Sequence, residues 1–141
     1  MNVPRLAFAT LGGFVTYFVF GGLAFAVLPS LRAEMMKYPA VYRPQEGQMK
    51  AMPYGMAAML VSILVMAVLY AMIYKGGSGL VEGARLGALI GVFAVGAFVV
   101  HNYVNLNVGP KLMLQQAAAY FVEWVVTGIV IGLIYRPVLA R

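Results

Sequence analysis

The chain has no cysteine, which excludes disulfides, thiolate metal sites and cysteine nucleophiles and leaves the redox compartment open. It has one histidine, so a single copy cannot supply a bis-histidine haem site. Charge is scarce: 10% of the residues are charged, against about 25% in an ordinary soluble domain. No nucleophile–base pair and no metal-ligand cluster emerges from so thin a polar set, so an enzyme is not expected. What is abundant is apolar surface, 63% of the 141 residues. A soluble fold of this size buries only part of its surface and could not hide that much. The solvent this composition implies is lipid.

The ten Lys and Arg residues give a formal charge of +6, but almost all of them fall in the gaps between apolar runs. That is the placement of headgroup anchors, so membrane lipids are the expected contact and nucleic acid is not. A bilayer core needs roughly 20 apolar residues per helical crossing. Four stretches qualify, at about 6–28, 53–74, 83–108 and 112–135. Pro29, Lys75-Gly76-Gly77, Gly109-Pro110 and Arg136-Pro137 end them in turn. The first imitates a signal peptide, but its apolar run exceeds the usual 7–15 residues, and a retained span is expected. The expected fold is therefore all-α, an integral membrane four-helix bundle in one domain over 1–141, with a long loop at 29–51.

Both termini and the second loop share one side, with Arg5, Lys75, Arg85, Arg136 and Arg141. Arg32, Lys37, Arg43, Lys50 and Lys111 lie on the other. The count is even, so the positive-inside rule does not decide the orientation. The length of the first loop, which dilutes its charge, favours cytoplasmic termini.

Laying Tyr74 on Tyr135 aligns Ala57 and Ala58 with Ala118 and Ala119, Val61 and Val65 with Val122 and Val126, and Lys75 with Arg136. Ala67 and Ala71 fall on Gly128 and Gly132. This is either two parallel-repeated helical hairpins, as in some transporters, or chance agreement among common apolar residues. Helices in lipid approach closely where small side chains let them. Gly83, Gly87 and Gly91 recur every four residues, Gly128 and Gly132 do the same, and so do Gly22 and Ala26. These stripes are expected to line the bundle interior or a seam to another subunit.

Glu123 is the most informative residue, a carboxyl halfway along the fourth span beside Trp124. At that depth an unpaired carboxylate costs several kcal/mol, so it is either a structural hydrogen-bonding group or a functional one. If the third and fourth spans turn tightly at Gly109-Pro110, Glu123 faces the level of Gly96 and Ala97. His101, Asn102 and Asn105, with Gln115 and Gln116 opposite, then form a polar funnel leading to it. The same group reads more simply as an ordinary interfacial cap in which Asn, Gln and His meet headgroups and water. His101 is also the one side chain able to ligate haem or a chlorophyll-type pigment, although no cofactor is expected. Met52, Met56 and Met59 share a helix face; thioethers suit Cu(I), but flexible methionine more often fills irregular packing. In the first loop Tyr38, Tyr42 and Arg43, next to Pro39 and Pro44, suit docking to a partner. Glu82 and Arg85 are spaced for a local ion pair.

The stretches Glu82-Gly83-Ala84-Arg85-Leu86-Gly87 and Val122-Glu123-Trp124-Val125-Val126-Thr127-Gly128, with Tyr135-Arg136-Pro137, resemble the "EGxRxG" and "VEWxxxG…YRP" patterns of a loose group of small four-span bacterial inner-membrane proteins. The resemblance implies a fold and a membrane; the group carries no assigned activity. The leading expectation is a non-catalytic accessory subunit of a larger membrane complex of respiratory or photosynthetic type, packed against other subunits. The alternatives are a small transporter or proton-conducting protein using Glu123, and a haem- or pigment-binding module.

Overall fold

The structure, a computed structural model, describes residues 1–27 and 29–136. It is an all-helical bundle with four helices long and apolar enough to cross a membrane. The expected roles of Leu28, Pro137 and Arg141 lie outside the described residues.

Helix α1 spans Val3–Val27, and a short α2 follows at Pro29–Met35. Helix α3 spans Gln45–Ile73, α4 Gly79–Ala94, and a π-helical stretch Val95–Val100 carries α4 into α5, His101–Asn105. Helix α6 spans Pro110–Tyr135. Pro110 sits in its first turn, where the missing N–H is no loss.

Two boundaries depart from expectation. The first loop is not irregular over 29–51: α2 occupies its start, and α3 begins at Gln45, two turns before Pro53. Pro53 is interior to the helix, where its ring leaves the Met49 carbonyl without a helical donor, a defect that membrane helices tolerate. At 1.5 Å per residue, α3 is about 43 Å long against a hydrocarbon core of about 30 Å. Its first turns, bearing Gln45, Glu46, Gln48 and Lys50, reach into the headgroups. The exposed Lys50–Glu46 pair there, 2.7 Å apart, contributes little. At the other end Gly76 turns the chain with φ of 90°, a conformation side chains disfavour.

The closest packing in the bundle joins α4 to α6. A Cβ on Gly83 would strike the Gly128 carbonyl oxygen, and one on Gly79 the Gly132 carbonyl oxygen. A Cβ on Gly87 would lie 2.5 Å from the Trp124 oxygen, and one on Gly91 3.0 Å from the Phe121 ring. The two backbones touch, and the expected stripes on these helices are spent inside the chain. On α1 the expected pair faces outward: Ala26 is exposed, and Gly22 has nothing within 4 Å of where a Cβ would stand. The packing glycines of α1 are instead Gly12 and Gly13, which meet Ile134, Ile131 and Ile63, and Gly21, which meets Glu123.

Helices α3 and α6 bury matching positions in the register that lays Tyr74 on Tyr135. Ile63, Met66, Ala67 and Tyr70 are buried, as are Trp124, Thr127, Gly128 and Ile131. At the terminus side, Tyr70, Tyr74 and Tyr135 cluster with ring centroids 5.6–6.3 Å apart. The Asn2 N–H donates to the Tyr135 hydroxyl at 3.3 Å.

Because Gly128 has the Gly87 Cα 2.8 Å from its would-be Cβ, Gly128→Val forces the helices apart and destabilises the bundle by roughly 1–3 kcal/mol or more. Gly22→Ala, pointing into open space, leaves stability within about 0.5 kcal/mol of the parent. Unfolding in detergent, followed by the emission of the single tryptophan, Trp124, separates the two.

Candidate functional site

The α4–α6 contact fixes which way Glu123 points. With Gly79 against Gly132 and Gly83 against Gly128, α6 gives α4 the face carrying Phe121, Trp124, Gly128 and Gly132. Residues 123, 127, 131 and 134 form the adjoining face, and it meets α1: Glu123 at Gly21, Ile131 at Gly13, Ile134 at Gly12. A methyl on Gly21 would lie 2.5 Å from Glu123 Oε1. Glu123 is 7% exposed, with the Tyr17 phenol of α1 as its polar neighbour. Tyr17 in turn packs on Trp124, ring centroids 5.3 Å apart. Among the described residues no lysine, arginine or histidine forms an ion pair with Glu123.

The same register corrects the expected funnel. Glu123 is level with Ala88, not with Gly96 and Ala97, and Gly96 has nothing within 4 Å of its would-be Cβ. The tight turn assumed at Gly109-Pro110 is a longer overhang, α5 followed by extended chain. His101 thus lies thirteen residues beyond the level of Glu123, about 20 Å along the axis. It is exposed, and Asn105 spends its amide on the His101 carbonyl at 2.9 Å. Asn102 and Gln116 do line a common cavity. Gln115 is turned to the other side, towards Ser30 of α2 at 3.4 Å.

Two cavities flank the Tyr17–Glu123 region. One, of about 520 Å³, lies between α3 and α6 and reaches the loop side at Val41, Asn102 and Leu106. Trp124, Phe98 and Met59 wall it. The other, of about 500 Å³, lies between α1, α2 and α6 and includes Glu123, Phe20, Met35 and Met52. Tyr17, Tyr42, Gln116 and Tyr120 line both, so the partition between them is itself polar. Gln116 Nε2 donates to the Tyr42 hydroxyl at 2.9 Å within it.

Tyr17, Tyr120 and Gly21 belong to this site without having been expected there. Tyr120 was within reach of the sequence, since it stands one helical turn before Glu123 on the same face. Tyr17 was not, because the rotation of α1 against α6 is set by tertiary packing.

The loop side is crossed by a strap of polar contacts. Ser30, Glu34, Tyr38 and Tyr42, each four residues from the last, meet Gln115, Lys111, Gly109 and Gln116 at the start of α6. The Gly109 N–H donates to the Tyr38 hydroxyl at 2.9 Å. Glu34 Oε2 takes Lys37 Nζ at 2.8 Å and Lys111 Nζ at 3.4 Å. Both tyrosines expected to dock a partner are therefore engaged within the chain. Arg43 is exposed, and its carbonyl accepts from Gln48 Nε2 at 2.7 Å.

The terminus side holds a second, smaller polar group. No Glu82–Arg85 ion pair forms among the described residues. The Glu82 carboxyl instead turns back to Gly77, where its Oε1 fills the space a Cβ would take. Glu82 Oε2, the Tyr70 hydroxyl and Thr127 Oγ1 are buried without a hydrogen-bond partner.

No protein-family model, curated protein or solved structure matches this chain.

The hydrogen bond from Lys37 holds the Glu34 carboxyl below the usual carboxylate range against an opposing desolvation, with Lys111 adding to it. Glu34 in turn raises the Lys37 ammonium. A folded-state pKa below the unfolded one stabilises at neutral pH. That contribution fades as pH falls through the usual carboxylate range to the lower folded value. The exchange protection factors of residues 36–44, corrected for the intrinsic rate at each pH, accordingly fall on acidification. Glu34→Gln shows the lowered protection already at neutral pH and no further acid step.

Proposed function

We propose that this chain is a small transporter or proton-conducting protein of the membrane, with Glu123 as the group that takes up and releases the transported charge. One observation carries the reading: a carboxyl at mid-span, without a basic partner among the described residues, stands beside a cavity lined by phenols and amides. The carboxyl's one polar neighbour is the neutral Tyr17 phenol of α1, so no counter-ion among the described residues fixes its charge, and an intramembrane carboxyl of that kind is a functional candidate by default. From the loop side, Tyr42, Gln116 and Tyr120 lead inward. Towards the termini, Thr127 lies one turn beyond Glu123, and Tyr70 and Glu82 further on, each with a buried oxygen free to accept a transient proton or water. Between them Ile63 and Ile131 close on Gly13, a dry plug on that side. A site open to one face and sealed from the other is what alternating access requires of either end state. In a bacterial inner membrane with both termini cytoplasmic, the open side faces outward.

The accessory-subunit reading rests on the lack of a catalytic set, on glycine stripes on several helices and on a long aromatic loop. The stripes of α4 and α6 are consumed by each other, and Tyr38 and Tyr42 by α6 and the residue before it. What remains for subunit contact is the apolar outer surface, which lipid covers equally well. For a haem or pigment, His101 is exposed and stands outside both cavity linings, which weakens that alternative.

Reconstituted into vesicles with an entrapped pH dye, the protein dissipates an imposed pH gradient faster than empty vesicles. Glu123→Gln returns the rate to that of the empty vesicles while eluting as the same detergent particle. Equal rates for parent and variant would remove Glu123 from the mechanism.

A further inference from the structure

The cavities beside Glu123 are far larger and more apolar than a proton needs. A file of water would suffice for protons, yet Phe98, Met59 and Trp124 on one side, and Phe20, Met35 and Met52 on the other, supply ring and thioether surface. Volumes of about 500 and 520 Å³ fall in the range of drug-sized ligand sites. We propose that the cavity between α1, α2 and α6 binds a monovalent lipophilic organic cation, held by the Glu123 carboxylate and the rings of Tyr17, Phe20 and Tyr120, in exchange for the carboxyl proton. The inference rests on the transport reading above and names its substrate class.

Four features select that class. No lysine, arginine or histidine is among the described side chains lining either cavity, so an anionic or zwitterionic ligand would find no partner for its negative charge. The one formal charge in the linings is that of Glu123, which matches a single positive charge and no more. A divalent ion would seek a cage of oxygens, and among the described residues no three His, Cys, Asp or Glu side chains come together. Aromatic faces stabilise a diffuse cation, most strongly where water is excluded, and Tyr17 and Phe18, edge to face with centroids 5.7 Å apart, both line the cavity that holds the carboxyl.

The exchange balances. With the site empty the carboxyl holds its proton and is neutral. As the cation enters, the proton leaves to the loop-side water, and the site holds one positive and one negative charge. Either way its net charge is zero, which removes the cost of an unpaired ion in the membrane interior. Proton and organic cation therefore compete for one carboxylate.

The test is equilibrium dialysis of tetraphenylphosphonium against the purified protein in non-ionic detergent over a range of pH, with Trp124 emission as a second reading. The expected result is saturable binding that weakens with acid, the apparent Kd rising about tenfold per pH unit once the carboxyl is protonated, and that Glu123→Gln abolishes. Ala24→Phe narrows the cavity that holds Glu123 from its α1 wall. It weakens binding without touching the carboxyl, which keeps the test decisive if Glu123→Gln does not fold. Binding that ignores pH and survives both substitutions overturns the proposal. No saturable binding by a protein that still passes protons through Glu123 overturns the cation and leaves the transport reading standing, whereas loss of both results removes both.

Discussion

The structure depends on the contact between two backbones, α4 and α6, across Gly79, Gly83 and Gly87 on one helix and Gly128 and Gly132 on the other. In lipid no hydrophobic drive pushes helices together, so a pair holds only if close approach multiplies its dispersion contacts. Glycines four apart supply that approach, and they also fix rotation. Once 128 and 132 face α4, position 123 is turned about 140–180° away from them, onto α1. The placement of the one buried mid-span carboxyl follows from where the glycines stand.

The two membrane faces are built differently. At the terminus side Tyr70, Tyr74 and Tyr135 pack in tilted and edge-to-face contacts with isoleucines beneath them, and that end is tight. At the loop side α2 and the chain after it lie across the mouth, fastened to the start of α6 through Ser30, Glu34, Tyr38 and Tyr42. Those bonds are polar and only part-buried or exposed, so they are exchangeable with water in a way the tyrosine cluster is not.

How far the fold was legible is clearest at particular residues. The four crossings were readable because hydrophobic length is a local property, and Gly83, Gly87, Gly128 and Gly132 because their spacing is helical. Glu123 was visible as a charge in an apolar run. Its neighbours were not, since they depend on the register between helices, and the register depends on an overhang at 101–109 that no local rule separates from a tight turn. Pro53 misled because proline is commoner in the first turn of a helix than in its interior. Ser30, Glu34, Tyr38 and Tyr42 recur every four residues, but only Ser30 and Glu34 are on a helix, so their periodicity carried no recognisable signal.

Helix α3 is fastened to its neighbours along only part of its length. Its buried side chains, Ile63, Met66, Ala67 and Tyr70, all lie in the half nearer the termini, while Met49, Met52, Tyr54 and Met56 stand exposed. A rod clamped at one end and soft at Pro53 bends more easily than it slides. The width of the space beside Trp124 is thus an angle of that rod rather than a fixed dimension of the bundle. Bilayer thickness acts on the same angle, because a rod longer than its slab lies flatter as the slab thins. The lipid around this protein thereby becomes one of the walls that set its interior size.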